Sequence, residues 1–177
     1  YYFKTVENEY KLVKHFTAAG EGGLKNNRIS NVMTDASGKL WIGTYNGLYQ
    51  YNAKDSSFIS IDSLLSNASR PLCNIILTLS IDNEDRIWFG TPCSLNKLID
   101  NGNGSYSLTE YTTEDGLPDD YLSNIIPDDF GNIWISTNSG ISKLIEEENE
   151  FQNFEASDGT GKYTFSEAAS YKSDEGL

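Results

Sequence analysis

The sequence has few of the residues on which metal and acid–base chemistry usually depend. Its 177 residues include one histidine, His15, and two cysteines, Cys73 and Cys93. General-base and metal-dependent enzymes use histidine more often than any other side chain. The sequence therefore gives little support to a catalytic centre, and we expect no metal site and no cofactor.

Basic residues and long apolar runs are also scarce. Thirteen Lys and Arg residues stand against 26 Asp and Glu residues, for a formal net charge of −13. Nucleic-acid phosphates are bound by clustered Lys and Arg, so this balance argues against a nucleic-acid contact. No eighteen consecutive residues are apolar, and hence no membrane-spanning helix is predicted. The acidic excess is typical of acid-rich turns exposed to solvent.

Three tryptophans stand at a nearly constant spacing. Trp41, Trp88 and Trp134 are 47 and 46 residues apart. Each lies in a short apolar segment: Leu40-Trp41-Ile42-Gly43-Thr44, Ile87-Trp88-Phe89-Gly90-Thr91 and Ile133-Trp134-Ile135-Ser136-Thr137. A period of about forty to fifty residues with one such strand per unit is typical of β-propellers, in which each repeat forms a four-stranded blade.

Alignment on the tryptophans shows further shared positions. The residue six before each tryptophan is acidic: Asp35, Asp82 and Asp128. The residues nine and twelve before it are apolar: Val32, Leu79 and Ile125, and Ile29, Ile76 and Leu122. We expect the acid to open a tight turn, because its carboxylate can accept hydrogen bonds from backbone amides two residues on. Each repeat therefore predicts one strand on either side of this turn.

Two more segments per repeat alternate with the period of a β-strand. Third strands are predicted at 48–51, 95–98 and 141–144, and fourth strands at 58–61, 106–109 and 151–154. The predicted fold is all-β: a β-propeller segment of four-stranded antiparallel blades, three of them full and two partial.

The repeat boundaries define the expected organisation of the chain. Residues 1–177 form a single propeller segment. It divides into the outer strands of a partial blade at 1–17, three blades at 18–61, 62–111 and 112–155, and the start of a further blade at 156–177. A closed propeller has roughly four to eight blades, so we expect this chain to be part of a longer protein.

The two cysteines flank the first hairpin of the second blade. Cys73 stands at the predicted start of its first strand, and Cys93 follows its second strand. If Ile81 pairs with Arg86 across the turn, the cysteines come nearly opposite each other at one end of the hairpin. A disulfide fits this placement in an oxidising compartment, and two small buried thiols fit it equally well.

The repeated unit resembles the two-component regulator propeller repeat. The segment 27–48 carries the pattern most clearly, and the segment 115–140 carries it again. The second repeat departs from the pattern, with Asp85 where glycine is usual and Pro92-Cys93-Ser94 where Asn-Gly is usual. As a repeat signature the resemblance is specific, and it covers nearly the whole chain.

This resemblance implies the periplasmic sensor region of a hybrid two-component histidine kinase from a polysaccharide-degrading bacterium. Such a region has two seven-bladed propellers, followed by an immunoglobulin-like connector, a membrane helix, and cytoplasmic kinase, receiver and DNA-binding parts. The chain would belong to the second propeller and would itself be non-catalytic. By the same resemblance, its ligand would be an oligosaccharide, and the parent sensor would be a homodimer that regulates transcription through a phosphorelay.

Propeller ligands commonly bind at the links between blades and at the turns between second and third strands. Asn, Arg and Tyr there can bind sugar hydroxyls and stack on sugar C–H surfaces. The candidate ligand-binding residues are Arg28, Tyr45, Asn46, Arg70, Asn74, Tyr121 and Asn138. Most of them also have a structural interpretation, because the asparagines can serve turns and links and the tyrosines can pack between blades. The two arginines are the stronger candidates, since they are isolated cations in an acidic chain.

Two other functions are open on the sequence. A structural or protein-binding propeller would expose an apolar patch on one face. A propeller lyase would bring histidine and acids together at the channel mouth. We expect His15 on an exposed strand edge and the acidic run Glu146-Glu147-Glu148 in a solvated hairpin. Both expectations, and the repeated turn position of the other acids, disfavour the lyase.

Overall fold

The computed structural model describes residues 2–6, 9–14, 23–66, 70–159, 165–166 and 171–173, with 2–6 and 9–14 described by their backbone alone. Fourteen strands lie in these residues and form four antiparallel sheets, in each of which neighbours in sequence are neighbours in space. The first sheet has two strands, β1 (Tyr2–Val6) and β2 (Glu9–Lys14). No described helix is both long and apolar enough to cross a membrane.

The other three sheets have four strands each. The second sheet consists of β3 (Ile29–Thr34), β4 (Leu40–Thr44), β5 (Gly47–Asn52) and β6 (Ser57–Ser60). The third consists of β7 (Thr78–Ile81), β8 (Ile87–Gly90), β9 (Leu95–Asp100) and β10 (Tyr106–Tyr111). The fourth consists of β11 (Leu122–Pro127), β12 (Ile133–Thr137), β13 (Gly140–Ile145) and β14 (Glu150–Phe154). We call these three sheets blades one, two and three.

The blades confirm the fold class predicted from the tryptophan period. Each tryptophan lies on the second strand of its blade. The first strands β3, β7 and β11 are neighbours in that order, with β7 between the other two. This is how the inner strands of consecutive blades are arranged around a propeller axis.

The acid-opened turns also form as predicted. Asp35 accepts a hydrogen bond from the backbone amide of Lys39 at 2.8 Å, and Asp128 accepts one from Asn132 at 2.8 Å. In blade two, Asp85 adopts a positive φ of 62° at the position where the other two turns have glycine. Its carboxylate accepts the backbone amide of Ala36 at 2.8 Å, and so this substitution joins the turns of blades one and two.

Two details of blade two differ from the expectation. Strand β7 begins at Thr78, so Cys73 lies in the link before the strand and does not begin it. Ile81 pairs with Ile87 rather than with Arg86, because the turn between them is one residue longer than assumed.

In blades one and two, a glycine two residues after the tryptophan allows the next blade to approach closely. A Cβ at Gly43 would lie 2.8 Å from Ile76 Cγ2, and one at Gly90 would lie 2.9 Å from Leu122 Cβ. The link into blade two is hydrogen-bonded here, since the amide of Ile76 donates to the carbonyl of Thr44 at 2.9 Å. The glycines of the repeat therefore serve contact between blades.

The apolar core lies between blades rather than inside one sheet. Between blades one and two, Trp41 and Leu48 pack with Ile76, Leu79 and Phe89. Between blades two and three, Trp88 and Leu95 pack with the corresponding residues Leu122, Ile125 and Ile135. Blades one and two thus present their tryptophans to the apolar residues of the following blade, as expected for a repeat fold that buries surface between neighbours.

The two outer faces of this stack are less covered. Val32 is 56% exposed in blade one, whereas the equivalent Leu79 of blade two is 5% exposed. On blade three, an apolar cleft of about 210 Å³ is lined by residues including Ile126, Trp134, Ile141 and Phe165. The exposed face of blade one is equivalent to the faces by which blades two and three pack on the preceding blade. The open face of blade three is equivalent to the faces by which blades one and two pack on the following blade.

Some predictions fall on residues outside the described part of the chain. His15, placed on an exposed strand edge, is one of them. The expected start of a further blade at 156–177 is described only at 156–159, 165–166 and 171–173.

Candidate functional site

The strand order places two sets of loops at opposite ends of the blades. The link face consists of the links into the first strands (23–28, 70–77 and 116–121) and the turns between second and third strands (45–46, 91–94 and 138–139). The hairpin face consists of the turns between first and second strands (35–39, 82–86 and 128–132) and between third and fourth strands (53–56, 101–105 and 146–149). All seven predicted ligand-binding residues lie on the link face.

Arg28 and Tyr45 are brought together in blade one. The guanidinium carbon of Arg28 lies 3.7 Å from the centroid of the Tyr45 ring, which is a cation–π contact. The amide of Tyr45 also donates to the carbonyl of Arg28 at 3.1 Å. Arg28 is exposed and Tyr45 is half-buried, so the pair offers a cation and an aromatic surface at one point of the link face.

The candidate asparagines have the positions expected of turn and link residues. Asn46 is exposed, and its backbone amide donates to Thr44 Oγ1 at 3.0 Å. Its carbonyl accepts the hydroxyl of Tyr49 at 3.2 Å. Asn74 and Asn138 are exposed in their link and turn. Asn46 thus contributes to the turn through its backbone amide and carbonyl, and its side-chain amide is exposed to solvent.

Arg70 and Tyr121 lie in the links into blades two and three. Arg70 is exposed, whereas Tyr121 is half-buried and its backbone amide donates to Asp119 Oδ1 at 2.8 Å. None of the seven candidates lines the apolar cleft on blade three or a larger cleft between blades two and three.

In each of the three blades, the link into the first strand is connected to the turn between the second and third strands. The type of contact differs from blade to blade. Blade one uses the stacked Arg28 and Tyr45. Blade two uses a disulfide between Cys73 and Cys93, whose Cα atoms are 5.8 Å apart. In blade three, Ser139 Oγ donates to Asp119 Oδ2 at 3.1 Å. The disulfide is therefore the covalent form of a connection that each blade makes.

A second cleft lies on the hairpin face, and the sequence pattern does not predict it. It has a volume of about 410 Å³ and lies between blades two and three. Its lining residues include Glu84, Arg86, Lys97, Phe130, Asn132, Glu146 and Glu147. We call it the hairpin cleft.

Ion pairs form the floor of the hairpin cleft. Glu146 of blade three accepts hydrogen bonds from Arg86 Nη1 at 2.8 Å and Lys97 Nζ at 2.9 Å, both from blade two. Arg86 Nε also donates to Asp82 at 2.6 Å. The side chains of Arg86, Lys97 and Glu146 are each 14% exposed. The expectation of a solvated hairpin is therefore wrong for Glu146, because the neighbouring blade supplies two cations to it.

Both cations keep their charge in this environment. Burial lowers the pKa of Lys97, but its hydrogen bond to Glu146, its interactions with Tyr111 and the charge of Glu146 together outweigh burial, so its pKa is above the ordinary value. Burial acts in the same direction on the pKa of Arg86, which the contact with Asp82 and the charge of Glu146 nevertheless raise.

A sequence signal for this floor exists in the repeat alignment. Lys39 and Arg86 each stand two residues before a tryptophan, and Asp100 and Glu146 each stand twelve after the next one. Lys39 Nζ contacts Asp100 Oδ2 at 2.8 Å, between blades one and two. Opposite charges at these two positions in successive repeats therefore indicate a bridge between blades.

Comparison with known proteins identifies the repeats. Residues 23–46 and 116–139 match the family model described as "Two component regulator propeller". These segments cover the link, first hairpin and tryptophan strand of blades one and three. The chain therefore contains two-component regulator propeller repeats, as predicted. No curated protein matches the sequence.

Solved structures share the fold. The extracellular domain assigned to hybrid two component system BT3049 from B. thetaiotaomicron matches with a TM-score of 0.78 and 24% identity, over 97% of this chain and 22% of that one. The corresponding domain of BT4673, from the same organism, matches with a TM-score of 0.72 and 21% identity, over 98% of this chain and 24% of that one. The chain thus spans under a quarter of the length of these domains.

A more distant likeness is to an enzyme. Virginiamycin B lyase from Staphylococcus aureus matches with a TM-score of 0.58 and 18% identity, over 83% of this chain and 46% of that one. At these identities the three likenesses concern the fold, which is a propeller-type arrangement of four-stranded blades.

Proposed function

We propose that this chain is part of the extracytoplasmic propeller of a hybrid two-component sensor histidine kinase. The observation that carries the proposal is the pair of two-component regulator propeller repeats at 23–46 and 116–139. The fold shared with extracellular domains of two hybrid two component systems supports it. In this proposal the chain is non-catalytic, and the kinase is a separate part of the parent protein.

The proposed location is the periplasm. A disulfide persists in an oxidising compartment and is rare in the reducing cytosol. The bond between Cys73 and Cys93 therefore supports an extracytoplasmic position. It also keeps a link and a turn of the link face together.

The proposed ligand is an oligosaccharide, and its binding would regulate transcription through a phosphorelay in a homodimeric parent sensor. Sugars are bound by polar groups that pair with their hydroxyls and by aromatic rings that cover their C–H faces. The contact between Arg28 and Tyr45 offers both on the link face. Signalling requires that the ligand bind one conformation of the sensor more tightly than another.

A thermal-shift screen against defined neutral and acidic oligosaccharides tests this function. A ligand that binds the folded chain and not the unfolded one raises the melting temperature in proportion to the logarithm of its concentration. We expect one class of glycan to produce this rise and unrelated glycans to produce none. Unchanged melting with every glycan would contradict saccharide sensing by this chain.

A protein-binding propeller is the second candidate. Leu72, which is 67% exposed on the link face, favours it, because large exposed apolar groups often mark a contact with another polypeptide. The two candidates differ in their ligand. Stabilisation by a purified protein, with none by any glycan, would favour the second.

A further inference from the structure

Phe130 is the most exposed large apolar side chain in the described part of the chain, at 82% exposure. It stands at the rim of the hairpin cleft. The same turn position is occupied by Ser37 in blade one and by Glu84 in blade two. Blades one and two thus have polar residues at this position, whereas blade three has an aromatic ring.

The turn does not need the phenyl ring. The contribution of Phe130 to the turn is its backbone amide, which donates to Asp128 Oδ1 at 2.9 Å. Glu84 donates its amide to Asp82 Oδ1 in the same way, at 3.0 Å. Because any residue except proline supplies this amide, the ring is free to take another role.

The cleft below the ring is polar and nearly balanced in charge. Arg86 and Lys97 are both paired with Glu146. A strongly anionic ligand would compete with Glu146 for these cations, and a cationic one would displace them from it. A neutral ligand with many hydroxyls fits this floor best, because hydroxyls can donate to carboxylates and accept from cations without breaking the pairs.

The rim supplies further polar groups. Glu147 is exposed beside the cleft and offers two carboxylate oxygens. Asn132 donates its side-chain amide to Asp128 at 2.9 Å, and its carbonyl oxygen can accept a hydrogen bond. The acceptors of the rim and the cations Arg86 and Lys97 of the floor therefore lie next to an aromatic face.

We propose that the hairpin cleft binds a neutral saccharide, with the C–H face of one sugar ring stacked on Phe130 and its hydroxyls on Glu147, Asn132 and the floor. The volume of about 410 Å³ lies within the range of small-molecule sites and accommodates one or two sugar units. This inference deepens the proposed function, on which its ligand class rests. It places the site on the hairpin face, opposite the seven residues predicted from the sequence.

The test measures glycan binding by four forms of the 177-residue chain: the wild type, Phe130→Ser, Leu72→Ser and Phe130→Tyr. Phe130→Ser introduces the residue that blade one has at this position. Leu72→Ser is the matched control, because Leu72 is also a largely exposed apolar residue, at 67%, but lies on the link face. Each protein is applied to an array of neutral oligosaccharides, and the strongest hit is then titrated by calorimetry.

We expect Phe130→Ser to weaken binding about tenfold or more, as loss of a central aromatic contact does. Leu72→Ser should bind like the wild type, and Phe130→Tyr, which keeps the ring, should also bind normally. In addition, the same glycan should shift the backbone amide signals of Gly131, Asn132 and Glu147 in nitrogen-15 NMR spectra of the wild type. This second measurement does not depend on the folding of any variant.

The contrary outcomes are distinct. If the wild type binds a glycan, Phe130→Ser binds it equally well and the shifted amides lie on the link face, the cleft assignment is wrong while saccharide sensing stands. If no array glycan binds the wild type, the saccharide function and the cleft assignment are both wrong.

Discussion

Trp41 donates its indole N–H to the carboxylate of Asp35 across 2.8 Å. The same bond joins Trp88 to Asp82 at 2.7 Å and Trp134 to Asp128 at 3.0 Å. Trp41 and Trp88 are completely buried between blades. A buried N–H without an acceptor is costly, so the acid that opens each turn also allows a tryptophan to fill the space between blades.

Replacement of Asp35 by alanine should destabilise the chain by about 2–3 kcal/mol, because it leaves the Trp41 indole and the Lys39 amide without their acceptor. The matched control is Asp55→Ala. Asp55 also holds a turn, accepting the amide of Ser57 at 3.0 Å, but it is exposed. Its loss should cost less than about 1 kcal/mol. Urea unfolding followed by tryptophan fluorescence measures both values, and equal losses would show that the indole bond contributes nothing.

The contact between blades predicts different responses at two equivalent positions. Leu79→Ala should cost about 2–4 kcal/mol, because it opens a cavity in the core between blades one and two. Val32→Ala alters the same repeat position in blade one, where the side chain is 56% exposed, and should cost less than about 1 kcal/mol. Chemical unfolding of the two variants provides the comparison. Similar losses would mean that the stack does not bury its core between successive blades.

Acid should destabilise the fold through the turn carboxylates. Burial raises the pKa of Asp35, but hydrogen bonds from Trp41, Ser37 and the Lys39 amide outweigh burial, so its pKa is below the ordinary value. Asp128 has a lowered pKa for the same kind of reason, with Asn132 and Trp134 as donors. A carboxyl whose pKa is lower in the folded state contributes stability that is complete above the unfolded pKa of about 4 and is lost as the pH falls through the folded pKa.

We therefore expect the urea midpoint to decrease steadily below about pH 5, where the unfolded chain begins to bind more protons than the folded chain. Asp35→Asn cannot titrate at this position, and its midpoint should depend less steeply on pH in this range. A series of urea titrations from neutral to acidic pH tests the difference. Parallel curves for wild type and variant would contradict the assignment of this pH dependence to Asp35.

The disulfide predicts sensitivity to reduction. Cys73 and Cys93 are separated by 20 residues in sequence, and a crosslink over such a loop stabilises a protein by about 3 kcal/mol in the chain-entropy account. A reductant should lower the melting temperature of the wild type to that of the Cys73→Ser, Cys93→Ser double variant. It should leave the double variant unchanged. A wild type that melts identically with and without reductant would show that the bond contributes no stability.

The fold could be predicted from the sequence because the same pattern of residues occurs in three successive repeats. The second, third and fourth strands follow from the spacing of apolar residues around Trp41, Trp88 and Trp134. The irregular positions could not be predicted in this way. Strand β7 begins at Thr78, two residues later in the repeat than β3 and β11 begin. The pairing of Ile81 with Ile87 recurs in the other blades as Thr34 with Leu40 and Pro127 with Ile133, and it depends on a turn length that the pattern does not encode.

The sites were harder to predict for a different reason. The seven link-face residues are predicted from their position in links and turns and from their chemical type, and neither decides whether their side chains meet. Arg28 and Tyr45 do meet, through stacking across one blade. The hairpin cleft forms only when blades two and three pack together, since its floor joins Arg86 to Glu146. The exposed ring of Phe130 could have been noticed as the one apolar residue at its repeat position, but its exposure required the structure.

The indole N–H groups test most directly whether each tryptophan marks one equivalent blade. In the chain labelled with nitrogen-15 tryptophan, three indole signals should be resolved. Those of Trp41 and Trp88 should exchange with deuterium far more slowly than free indole, because both are buried and bonded to Asp35 and Asp82. Asp35→Ala should speed the exchange of the Trp41 signal alone. Three signals that all exchange as fast as free indole would contradict the stacked-blade fold.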